Sequence, residues 1–218
     1  MTIDRDLKIL RESANNIIHH GEFLLSVNKF SDYWIHLREM WGNTSLHDVI
    51  ASILRVVLTN LSLEYGAFTV PLIYTLHAHT TEEELPLVPI LREAVRDLHN
   101  DNIRTVPADI NLPLPSDNLL PGNYVCFFVL SVHVDFIEEV VNFLKKHDCS
   151  VSTIVVIMER EGVSRDRLVK KLGVELIPLI VVGEKSGIPT AILENSKPPY
   201  RSMHKYFQEY VNNNVPDK

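Results

Sequence analysis

Histidines, arginines and lysines supply the spacings that could do chemistry in this chain, and each group implies a different reaction partner. His77-Ala78-His79 would set two imidazoles on one face of a strand, the beginning of a metal pair, but the pattern offers no third ligand. His133 interrupts an apolar strand shortly before a helix, as either a hydrogen-bonded half-buried imidazole or a functional group. His19-His20 falls at the end of an expected helix, where a cationic ring complements the dipole. Arg165, Arg167, Lys170 and Lys171 form a basic helical patch, with Lys145 and Lys146 on the preceding helix. That patch suits an acidic partner or RNA, and equally suits a solvated helix end. Asp135 and Glu138 have the Asp-x-x-Glu spacing of a capping box. Cys126 reads as a small buried hydrophobe, and Cys149 lies in a turn without an activating motif. No nucleophile elbow, Walker loop or dinucleotide fingerprint is present.

These residues must be positioned by a recognisable set of elements. Leu7 to His20 has helical spacing and is expected to stop at Gly21. Glu22 to Val27 and Tyr33 to Leu37 are expected as strands of a hairpin. Ser45 to Leu61 reads as a helix capped by Thr44 or Ser45, with Leu46, Val49, Ile50, Ile53, Val56 and Val57 inward. Ala67 to Tyr74 and Leu85 to Ile90 read as strands, and Arg92 to His99 as helical. Residues 101–122, with Pro107, Pro113, Pro115 and Pro121, read as a long loop. The second half is plainer: apolar runs at Tyr124 to Val134, Val151 to Met158 and Val174 to Val182 alternate with helices at Phe136 to Lys146 and Ser164 to Leu172. Buried-type strands alternating with helices predict a parallel α/β sheet covered on both faces. Beyond Pro198-Pro199, Met203, Tyr206, Phe207 and Tyr210 form one helical stripe. The expected organisation is a domain over 1–197 and a helical tail over 198–218.

Composition bounds the partners. Over 218 residues, 45% are apolar and 22% charged, enough to build a buried core. The net charge of -7 disfavours a general nucleic-acid binder, which needs clustered excess cations. No apolar run reaches membrane-spanning length, and the charged stretch Met1 to Leu10 does not read as a signal peptide, so a cytoplasmic location is expected. Two cysteines without a CxxC spacing form no disulfide framework and no cysteine-based zinc site. Glycine is scarce, at 8 residues against an average usage of about 7%. Phosphate-cradling loops usually spend that residue.

Two separated stretches resemble the orotate phosphoribosyltransferases. His20-Gly21-Glu22-Phe23-Leu24-Leu25-Ser26-Val27, continuing to Tyr33-Trp34-Ile35-His36-Leu37-Arg38, is similar to that family's Phe-Gly-Asp/Glu-Phe-x-Leu-Lys-Ser-Gly run and the Tyr-x-x-Asp-Leu-Arg that follows it. Pro121-Gly122 with the next strand and helix, then Met158-Glu159-Arg160-Glu161-Gly162, resembles the stretch that leads to the family's Asp-Arg-Glu-x-Gly segment. The resemblance covers most of residues 8–182. It implies a type I phosphoribosyltransferase-like α/β fold, a mainly parallel sheet flanked by helices with a small N-terminal hood, and a homodimer. It also implies that His77 to His79 is helical, where positions two apart diverge.

The same resemblance exposes what this chain lacks. The family carries two acidic residues at a strand end, then a Thr-x-Gly-type loop opening a helix, which together hold the ribose hydroxyls, the metal-bound substrate and the 5′-phosphate. Val129 and Leu130 stand at the acidic positions, and no glycine occurs between Asn123 and Asp148. The family's lysine falls on Ser26 and its glycine on Asn28. Arg92 and Arg96 are remnants of its Arg-Lys-Glu-x-Lys-Asp pattern, although the first arginine has become Leu91. The 101–122 segment carries Asp101, Asp109 and Asp117 against the single cation Arg104, a poor match for a leaving diphosphate. Arg160 corresponds to a residue that touches orotate in the family. The ligand-contacting remnants are therefore Arg160, Arg92, Arg96 and His133, with no catalytic set, metal or cofactor expected.

On these grounds the expected function is that of a catalytically inactive relative, kept for binding, regulation or complex assembly. A protein partner would dock through the C-terminal helix or the basic helix 164–172. A divergent orotate phosphoribosyltransferase in pyrimidine nucleotide synthesis is the alternative. A ligand-sensing regulator or a nucleic-acid- or ribosome-associated protein is a further one.

Overall fold

The computed structural model describes residues 3–26, 29–36, 39–40, 42–65, 70–74, 87–96, 103–107, 121–130, 134–161, 165–185 and 188–192. Helix α1 (Ile3–Asn16) leads into an antiparallel hairpin of β1 (Ile18–Ser26) and β2 (Lys29–Ile35). Helix α2 (Thr44–Tyr65), β3 (Val70–Tyr74), α3 (Leu87–Val95) and β4 (Ile103–Pro107) follow. The second half runs β5 (Gly122–Leu130), α4 (Val134–Lys146), β6 (Cys149–Arg160), α5 (Arg165–Leu172), β7 (Glu175–Lys185) and β8 (Ile188–Ile192).

The sheet order is β5-β6-β7-β8, with the first three strands parallel and β8 returning antiparallel. Alternation along β5 sends its side chains to two different cores. Val125 and Phe127 join Leu10 and Ala14 of α1, Ile50 and Leu54 of α2, and Leu91 of α3 on one face. Tyr124, Cys126 and Phe128 join Ile137 and Val141 of α4 and Leu168 of α5 on the other. The three runs are continuously apolar because each strand is covered on both sides. Strands β3 and β4 form a separate two-stranded parallel pair, with β3 beside β5.

Polar ties fix the helices on the first face. Buried Asp6 of α1 accepts a 2.8 Å hydrogen bond from the Ser52 hydroxyl of α2. Arg55 of α2 donates to the Glu93 carbonyl and carboxylate on α3. At the end of α5, Gly173 has φ +67 and its amide donates to the Val169 carbonyl, a left-handed stop that favours glycine.

Several expectations are corrected. The first helix starts earlier and ends at Asn16, so His19 and His20 lie on β1 and not at a helix terminus. Gly21 sits inside β1, where its φ of +156 accompanies the register shift between His20 and Phe23. The cap of α2 is Asn43, whose side-chain oxygen accepts from the Ser45 amide. Of the segment expected as a strand at Leu85 to Ile90, residues 87–90 belong to α3, which accommodates Pro89 in its first turn because that amide has no helical partner, and residues 85–86 lie outside the described residues. The 101–122 segment is not wholly a loop, since Ile103–Pro107 pairs in parallel with β3. The expected tail helix at Tyr200 to Val211 lies outside the described residues.

Candidate functional site

Ligands of open α/β sheets gather beyond the carboxyl ends of the strands, which here are the ends of β5 and β6. β5 ends on Val129-Leu130, with Leu130 in register with Met158. His133 lies outside the described residues. Arg160, the last residue of β6, is half-buried and turned onto the hairpin. Its guanidinium lies 3.8 Å from the centre of the Tyr33 ring, donates to the Tyr33 carbonyl at 3.0 Å and also donates to the Ser31 hydroxyl. The Ser31 hydroxyl in turn donates to the Tyr33 carbonyl at 2.6 Å. A planar cation stacked and hydrogen-bonded in this way is a tie between sheet and hairpin.

A second cluster occupies the start of α4. Buried Glu138 takes Arg167 Nε at 2.6 Å and Lys171 Nζ at 2.7 Å, both from α5. Arg167 also meets Asp135 at 2.5 Å. Hydrogen bonds from Arg167 first, then Lys171, hold the Glu138 carboxyl below its ordinary range despite desolvation. Glu138 and Asp135 in turn push the Arg167 guanidinium upward. The two carboxylates spaced as a capping box are thus bound by cations of the neighbouring helix. Lys145 is engaged as well, donating to the Leu172 carbonyl at 2.9 Å. Arg167 and Lys171 of the basic patch on α5 are thus paired with α4 while their side chains stay 43% and 59% exposed.

A third cluster, of His19, His36 and Glu39, follows no motif spacing along the chain. His19 Nε2 lies 3.3 Å from one oxygen of Glu39, and His36 Nδ1 lies 3.0 Å from the other. The two imidazoles meet edge to face, with centroids 5.8 Å apart. The hydrogen bond with His36, supported by His19, lowers the Glu39 carboxyl from its usual range. His36 stands where the resembled motif reads aspartate, and that substitution was the available signal.

The other candidates are dispersed. Arg92 is exposed on α3, and Arg96 at its end pairs with Glu93, which also binds Arg55. His77 and His79 lie outside the described residues. Cys126 is fully buried and its thiol is driven far up by desolvation, while burial also raises Cys149, so both behave as packing groups. A cleft of about 380 Å³ between the start of α2 and α3 is lined by Thr44, Ser45, His47, Asp48 and Glu93 among others. Among the described residues no helix is long and apolar enough to cross a membrane.

No family model matches the chain, and no curated protein matches it. Solved structures do. The orotate phosphoribosyltransferase of Aeropyrum pernix is similar with a TM-score of 0.56 at 17% identity, over 83% of this chain and 94% of that one. The Francisella tularensis orotate phosphoribosyltransferase is similar with a TM-score of 0.55 at 11% identity, over 95% and 98% of the two chains. The adenine phosphoribosyltransferase of Saccharomyces cerevisiae, at 10% identity, gives a TM-score of 0.54 over 79% and 99%. The fold expected from the resemblance is therefore the fold the chain has, that of the type I phosphoribosyltransferases.

Proposed function

We propose that this protein is a relative of the orotate phosphoribosyltransferases that no longer transfers a phosphoribosyl group and serves as a binding, regulatory or assembly protein on that fold. The start of α4 carries the reading. A phosphate cradle needs free amides and positive potential at the helix N-terminus. Here the first two turns carry Asp135 and Glu138, with Glu138 held ionised by Arg167 and Lys171. Val129 and Leu130 precede them where a metal-bound sugar diphosphate would need carboxylates. The protein is read as a cytoplasmic homodimer.

Calorimetric titration with phosphoribosyl diphosphate, with and without magnesium, and with orotate tests this directly. The expected result is no saturable heat at concentrations that would reveal a millimolar site. Magnesium-dependent binding of phosphoribosyl diphosphate would overturn it.

The second reading is a divergent orotate phosphoribosyltransferase. The similarity to solved enzymes over most of the chain favours it, as does an arginine kept at the end of β6. On that reading the protein releases diphosphate from phosphoribosyl diphosphate and orotate, and Arg160→Ala abolishes the release.

A further inference from the structure

The geometry points to a transition-metal site on the N-terminal hairpin, in which His19, His36 and Glu39 bind one zinc ion and leave a coordination position open to solvent. This inference is independent of whether the sheet end retains phosphoribosyl chemistry.

Backbone pairing places all three ligands. His19 is in register with Trp34 on the antiparallel ladder, so His36, two residues on, is its diagonal neighbour on the same face. The His36 amide donates to the Ile17 carbonyl at 2.9 Å, which extends the pairing past the end of β2. The Glu39 amide then donates to the His36 carbonyl at 3.1 Å, turning its carboxylate back toward both rings. One nitrogen of each imidazole and a carboxylate oxygen all lie within 4.8 Å of one another. Around a tetrahedral zinc with bonds of about 2.0–2.1 Å, neighbouring ligand atoms stand about 3.3 Å apart. The observed separations of 3.3 Å and 3.0 Å from Glu39 to the two rings are already of that size. Those two distances run to the two different carboxylate oxygens, so binding needs the two ring nitrogens, now within 4.8 Å of each other, to close about one ion beside Glu39.

The donor set also selects the ion. Two imidazoles and one carboxylate suit zinc and its neighbours, whereas magnesium and calcium want oxygen ligands. Three protein ligands with an open position is the pattern of zinc sites that bind water or an exogenous anion. Access is from the His19 and Glu39 side, whose side chains are 46% and 47% exposed, while the His36 Nδ1 donor itself is buried against the carboxylate.

The test uses the full chain after chelator treatment. Zinc chloride and magnesium chloride are titrated by calorimetry, and cobalt chloride is followed by its visible d–d absorption. The expected outcome is one zinc per chain, no saturable magnesium binding, and an intense tetrahedral-type cobalt spectrum that zinc bleaches. His19→Ala and Glu39→Gln should each weaken zinc binding by more than about tenfold, since even outer-shell changes cost that much. His20→Ala, the adjacent exposed histidine, should leave it unchanged. If the ligand variants fold poorly, the cobalt spectrum of the unmodified protein decides. Absence of saturable zinc binding, or binding undiminished in both folded ligand variants, would overturn the site.

Discussion

Arg160 ends β6 with its guanidinium spread over the Tyr33 ring and its donors on Tyr33 and Ser31. Its stacking and directed hydrogen bonds join the parallel sheet to the hairpin. Arg160→Ala should lower unfolding stability by about 1–3 kcal/mol, and Arg160→Lys should recover little because an ammonium reproduces neither the plane nor the fork. Urea unfolding measures this, and an unchanged midpoint would show the tie to be idle. The residue type and the position at the strand end were legible from Met158-Glu159-Arg160-Glu161-Gly162. Its partners were not, because Ser31 and Tyr33 lie more than a hundred positions away along the chain and meet it only when the hairpin folds back. His19, His36 and Glu39 escaped for a related reason. Their spacing carries no motif, and it was the continuation of His19 into β1, in place of a helix end, that aligned them.

Helices α4 and α5 are joined by Glu138, which binds Arg167 and Lys171 at once. A carboxyl whose folded value lies below its unfolded value contributes stability above its ordinary titration range and loses it as pH falls through the folded value. Glu138→Gln should therefore lower the melting temperature near neutrality, and the gap from the unmodified protein should narrow as pH drops below 4.5. Melting curves from pH 7 down to about 3 check this, and a gap independent of pH would refute the linkage. The elements of this half were readable because fully covered strands are continuously apolar and helices alternate with them. The first half was less so. Ile103–Pro107 hid among prolines as β4, since a short strand in a two-stranded pair needs few hydrogen bonds and tolerates proline at its end. Leu87–Val95 read partly as a strand because a proline in the first helical turn looks locally like a proline in an extended segment.

One sheet separates two apolar cores, and β5 and β6 supply side chains to both. Neither core can dissolve without exposing a face of the same strands, so the molecule should unfold in one step. Leu54→Ala in the first core and Ile137→Ala in the second should each cost about 2–5 kcal/mol. Each should lower the single melting transition by on the order of 10 °C. Calorimetry checks this, and a transition that splits in either variant would mean the two faces melt separately.

At this scale the sequence by itself determined the architecture. Buried β-branched runs spaced by amphipathic helices allow little besides a covered parallel sheet, and the two resembled motifs agree with the fold shared by the solved phosphoribosyltransferases. It also determined which acidic groups and glycines stand at a given place, because residue identity at a strand end or helix start needs no coordinates. Tertiary structure alone decided where the charged groups went: Arg160 onto the hairpin, Arg167 and Lys171 onto Glu138, and two histidines around Glu39. Hydrophobic pattern is a local, periodic property written along the chain. Pairing of charges and ligands depends on directions in space between distant residues, and only the closed fold sets them.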